Sequence, residues 1–120
     1  KWIRIQSGWA RTEQKKGIYD FTWLDSVVDN LLRRGLMPWL CLCYGNGIYD
    51  GDAAKAFGAV GYPPVRNEEQ KQAWHRYVTE TVRRYKGRIA WFEVWNEPDW
   101  CWKHGVSGTG VRQDDRKSCP

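Results

Sequence analysis

Residues 90–97, AWFEVWNE, decide how this chain is read. Apolar and aromatic side chains dominate the run. It reads as a buried strand that delivers Asn96 and Glu97 to its C-terminal end, where Pro98 closes it. Packing gives no reason for a carboxylate at the mouth of a Trp-lined strand. Burial disfavours the charged form and raises the pKa, which is how a glutamic acid stays protonated near neutral pH to act as a general acid. The amide of Asn96 can bind a ligand hydroxyl or orient the acid. The plain alternative is that Glu97 caps the element that follows, since acidic and amide residues are common where helices start.

The flanking sequence places this strand in a pattern. Lys1–Ser7 (KWIRIQS) alternates, and it starts as if upstream sequence preceded it. Thr22 has the character of an N-cap, with Asp25 three residues on. Leu24, Val27, Val28, Leu31 and Leu32 then recur at helical spacing, and Gly35 stands where a C-cap glycine belongs. Residues 36–44 (LMPWLCLCY) form a nearly continuous apolar run, as in a parallel strand covered on both faces. A long Gly/Asp/Tyr/Pro loop over 45–64 exceeds the usual connection length, and such loops tend to be functional. Asn67 and Gln70 open a second helix, whose inner face is Trp74, Tyr77, Val78, Thr81, Val82 and Tyr85, and Gly87 stops it.

The order strand, helix, strand, helix, strand predicts an α/β fold with a parallel sheet and right-handed crossovers. Ligands of such sheets bind beyond the C-terminal strand ends. The residues with chemistry collect there: Gln6 and Trp9 after the first strand, Tyr44 and Asn46 after the second, Asn96 and Glu97 after the third.

Composition narrows the function classes. The 120 residues amount to one small domain, and the net charge of +5 is spread over helix ends, where cations suit the helix dipole without any nucleic acid. Nine tryptophans suit carbohydrate sites as well as cores, because indoles stack on the apolar C–H faces of sugars. The four cysteines do not read as a disulfide framework. Cys41 and Cys43 share a strand face and cannot easily bridge, while Cys101 and Cys119 lie in the weakly patterned C-terminal part. Reduced, buried thiols mildly favour an intracellular setting, although localisation stays open. No C-x-x-C occurs, and His75 and His104 lack ligand spacing, so neither a metal nor a cofactor is expected. No signal peptide or membrane span is visible, and neither a membrane nor a nucleic acid is expected as a partner.

With W-N-E-P at 95–98, WIRIQSGW at 2–9 and PWLCLCYGN at 38–46, the chain resembles the clan A glycoside hydrolases, and within them family 39, the β-xylosidase and α-L-iduronidase group. The resemblance covers roughly residues 1–109 and implies part of a (β/α)8 TIM barrel, strands two to four. It implies hydrolysis of O-glycosidic bonds with retention, with Glu97 as acid/base and a second carboxylate about 5–5.5 Å away as nucleophile. In the clan that nucleophile is a glutamate at the end of strand seven, outside the matched segment. Arg4 takes the place of the family's active-site arginine, its plain alternative being a buried ion-pair partner. Asn96, Tyr44 and Asn46 would line the sugar subsite, Trp9 is a stacking candidate, and Trp100 and Trp102 fall on the aglycone side. Trp74 and Trp91 read as core. The expected partner is an oligosaccharide, polysaccharide or glycoside. Which sugar it carries, xyloside, glucuronide, iduronide or galactoside, stays open.

Glu93 shares strand parity with Glu97 but lies about 13 Å deeper along a regular strand. It is expected to be structural and paired with Arg4, since buried charges need partners. Asp50 and Asp52 read as turn residues. The chain alone is therefore expected to be inactive. The last stretch, 110–120 (GVRQDDRKSCP), departs from the family pattern: it is polar, aperiodic and ends in Pro. Codons for GVRQDD can, read one base later, encode EYAKTI, a family-like helix start, so a reading-frame slip is one account, which the nucleotide sequence decides. The alternative for the whole is a non-catalytic carbohydrate-binding or interaction fragment that uses the aromatics alone.

Overall fold

The computed structural model describes residues 1–55 and 62–96. Within them, β1 (Trp2–Gln6) is followed by a single helical turn, α1 (Trp9–Thr12), and a long helix, α2 (Thr22–Arg33). Then come β2 (Met37–Leu42), α3 (Glu68–Tyr85) and β3 (Trp91–Val94). The three strands form one sheet in the order β1-β2-β3, all parallel. Arg4 stands opposite Trp39 and Trp39 opposite Trp91; Gln6, Cys41 and Glu93 form the next row. This is the expected β-α-β-α-β succession, and it is a fragment of a TIM barrel.

The helices form where periodicity and caps place them. Asn67 caps α3, its side chain accepting a hydrogen bond from the Gln70 backbone N–H at 2.9 Å. Gly35, at φ +68°, ends α2 in a Schellman arrangement: Gly35 N donates to Leu32 O and Leu36 N to Leu31 O. The start of α2 differs from expectation. Thr22 is the first helical residue, and Asp20 accepts its N–H through Oδ1 at 2.9 Å. Asp25 closes no capping box; it reaches α3 instead, accepting from Arg84 Nε at 2.8 Å and from the Tyr85 hydroxyl at 2.9 Å.

Strand alternation gives the sheet two unlike faces. Ile5, Leu40, Leu42 and Phe92 pack under Leu24 and Val28 of α2 and Tyr85 of α3, with Phe21 and Ile89 closing the cluster. The opposite face corresponds to the barrel interior. Trp2, Trp39 and Trp91 line an open cleft of about 340 Å³ there, towards the N-terminal ends of the strands. Trp91, read from sequence as core, is 64% exposed on it. A closed barrel fills that interior with layers of side chains from all its strands, and three strands leave the indole uncovered.

Candidate active site

Strand β3 is shorter than the eight-residue run suggested. It ends at Val94, because Trp95 adopts φ +67°, in the left-handed region that non-glycine residues rarely enter. Tertiary contacts hold it there. Trp95 N donates to Leu42 O at 2.9 Å, its carbonyl accepts from the Cys41 thiol at 3.0 Å, and its buried ring meets Tyr44 and Trp74 edge-on. Regular strand alternation therefore stops at Val94. Its consequence is visible at Asn96, whose amide oxygen accepts a hydrogen bond from Arg4 Nη2 at 2.8 Å.

Arg4 is the centre of the site. Its Nε and Nη2 reach the two oxygens of Glu93 at 2.7 and 2.8 Å, a fork that spans two inter-strand spacings, or about 10 Å. Trp39 Nε1 donates to the same carboxylate at 3.1 Å. Arg4 therefore has the ion-pair partner that sequence parity assigned it. The guanidinium holds the Glu93 carboxyl below the usual carboxylate range, its hydrogen bond outweighing burial and the Trp39 bond adding to it. Beneath lie two buried free thiols. Cys43 is pushed up by its contact with Cys41 and by burial. The Cys41 thiol, 3.3 Å from Arg4 Nη2, is lowered, first by Cys43 and then by the positive charge of Arg4.

The other candidates divide. Tyr44 is half-buried at the end of β2, and its hydroxyl accepts from Gln6 Nε2 at 3.1 Å, so these two polar groups meet on the C-terminal rim. Asn46 is buried, with both ends of its amide spent internally: Nδ2 on the Glu13 carbonyl at 2.8 Å and Oδ1 on Ile48 N at 3.1 Å. It orders the loop. Trp9 is likewise turned inward. Its exposure is zero, and its ring stacks on Tyr49 and Tyr77 and meets Trp74 edge-on. A ring buried in an aromatic cluster has no face left for a sugar. Glu97, together with Trp100, Trp102 and the 110–120 stretch, lies outside the described residues.

One residue escaped the sequence reading. Glu13 is fully buried and accepts three hydrogen bonds: from Trp9 Nε1 at 2.6 Å, Gly17 N at 2.7 Å and the Tyr49 hydroxyl at 2.6 Å. Together with the Asn46 bond to its carbonyl, it ties the loops after β1 and β2 into one rim. Asp50 and Asp52 behave as the turn residues expected, with Asp50 Oδ1 capping Asp52 N and both carboxylates facing Arg66. Among the described residues no cluster could hold a metal ion, and no helix is long and apolar enough to cross a membrane.

A three-stranded parallel sheet whose Arg4 network reaches Asn96 past the C-terminal end of β3 defines the class: an α/β-barrel segment. The family model described as glycosyl hydrolases family 39 matches residues 2–106, and the chain belongs to that family. It is also similar to the solved structure of a family 39 glycoside hydrolase from the gut symbiont Bacteroides cellulosilyticus WH2. That match has a TM-score of 0.60 at 20% identity and covers 82% of this chain and 19% of that one. The chain thus spans about a fifth of the length of that relative. No curated protein matches it.

Proposed function

We propose that the chain carries the acid/base half of a retaining glycosidase site acting on O-glycosides. The observation that carries this reading is Asn96, held on Arg4 at the C-terminal edge of the sheet inside the segment the family model matches. Glu97 follows it directly. In this reading Glu97 first protonates the departing glycosidic oxygen and then, as carboxylate, takes a proton from the water that resolves the glycosyl-enzyme. Asn96 and Tyr44 contact the sugar. The nucleophile comes from a later barrel strand, since each described carboxylate near the rim is committed: Glu93 to Arg4, Glu13 to three donors, Asp50 and Asp52 to Arg66. The cleft among Trp2, Trp39 and Trp91 points towards the opposite strand ends, so it gives a purely aromatic binding role no support.

The test places residues 1–106 in the frame of the B. cellulosilyticus enzyme, replacing its matching segment. Chimeras are first screened for cooperative melting. The folded chimera should hydrolyse an aryl β-xyloside or another aryl glycoside and release the sugar first in its starting anomeric form, seen by NMR. Release of the inverted anomer, or activity indifferent to Glu97→Gln, contradicts the proposal.

A further inference from the structure

A guanidinium carries five N–H bonds in one plane, so fixing two of them fixes the direction of the rest. Glu93 takes the Nε–H and one Nη2–H of Arg4, at 2.7 and 2.8 Å. The remaining Nη2–H then points sideways in the same plane, and there Asn96 Oδ1 stands at 2.8 Å, with the weaker acceptor Cys41 Sγ at 3.3 Å. Glu93 is itself oriented by Trp39 Nε1 at 3.1 Å. On the far side, the Cys41 thiol holds the Trp95 carbonyl at 3.0 Å, which fixes the peptide that leads into Asn96. An asparagine amide is otherwise free to turn over and exchange its oxygen for its nitrogen, since the two ends have the same shape. Arg4 has only donors, so it selects the oxygen and leaves the Nδ2 hydrogens for any other partner.

We infer that Glu93 is a positioning residue: acting through Arg4, it sets which end of the Asn96 amide faces the site, so the site presents Asn96 to its ligand as a hydrogen-bond donor. The group recognised is then an acceptor, such as a hydroxyl oxygen engaged through its lone pairs. The ligand half of this inference rests on the proposed reading of Asn96 as a sugar contact; the positioning half does not.

NMR of the isotopically labelled chain separates the two. In the parent chain, the Arg4 Nε–H should be slow to exchange, and the Asn96 side-chain N–H pair should give two sharp, well-separated signals. Glu93→Gln keeps the shape but cannot accept both donors. It should speed Arg4 Nε–H exchange about tenfold or more, the loss of one charge-assisted bond, and should collapse or shift the Asn96 side-chain pair. Trp39→Phe, which removes one donor and leaves the ion pair, should move the same signals in the same direction by less. Arg4→Lys keeps the charge and loses the fork, so it should reproduce the Asn96 change. Unaltered Asn96 signals in both Glu93→Gln and Arg4→Lys overturn the positioning role. Titration with methyl β-D-xylopyranoside should shift the Asn96 Nδ2 signals in the parent chain and lose most of that effect in Glu93→Gln. If the network signals behave as expected but the sugar leaves Asn96 Nδ2 unmoved, the reading of Asn96 as a sugar contact fails, and the donor-to-ligand half fails with it.

Discussion

At the scale of single residues, the site is a set of polar groups whose partners decide what each can do. Glu13 shows this most sharply. Its carboxylate serves Trp9, Gly17 and Tyr49 without any cation among those three partners, so Glu13→Ala strands three donors. At about 1 kcal/mol or more for a buried donor left unpaired, and less for the partly buried Gly17 N–H and Tyr49 hydroxyl, that variant should lose about 1–2 kcal/mol in urea unfolding. Glu13→Gln, which keeps one acceptor, should lose clearly less; equal losses would show that side-chain volume rather than hydrogen bonding is at stake. Glu13 was not legible in the sequence because it stands in the charged run TEQKK, which looks like a solvated turn. The Arg4–Glu93 pair was legible, since alternation puts both on one face with opposite charges. Trp9 could not be judged, because an indole that stacks on a sugar and one that packs on tyrosines have the same sequence signature. Asn46 is ambiguous for a related reason: an amide after a strand suits a loop brace as well as a ligand contact.

At the scale of elements, both long helices follow from periodicity and capping. Removing the α3 cap by Asn67→Ala should cost about 1 kcal/mol, read as a lower urea midpoint at unchanged slope. The two helices are also joined by Asp25, which the sequence suggested only as a cap for its own helix. Arg84, and with it Tyr85, holds its carboxyl below the usual value. A depressed acid contributes stability above its unfolded pKa and loses it as pH falls through the folded one. Stability should thus decline below about pH 4, and Asp25→Asn should flatten that part of the profile. An unchanged slope would mean the α2–α3 pairing adds nothing. The strand that mattered most was the least well bounded by sequence. The run AWFEVWNE has no residue that announces a turn, and the left-handed Trp95 is imposed by Leu42, Cys41 and the rings of Tyr44 and Trp74. Local sequence carries no trace of such long-range contacts.

At the scale of the molecule, the sheet is three strands of a fold that closes with eight, and on its inner face Trp39 joins a cleft of indoles to the Arg4 network that reaches Asn96. The fold class was readable because parallel β-α-β-α-β order is a property of the sequence pattern. The substrate was not, because the walls of a barrel site come from all its strand ends. The chain by itself should show no turnover of aryl glycosides, since the carboxylates described at its rim are bound to other partners; turnover that Glu97→Gln abolishes would refute that. The central claim, that Glu97 is the general acid, is tested most directly by leaving-group dependence in the folded chimera. A general acid matters little when the departing phenol is already acidic and greatly when it is not. Glu97→Gln should reduce kcat/KM about 10²-fold or more for a phenyl glycoside and far less for the 2,4-dinitrophenyl analogue. Equal reductions for the two substrates, or none for either, would contradict the assignment.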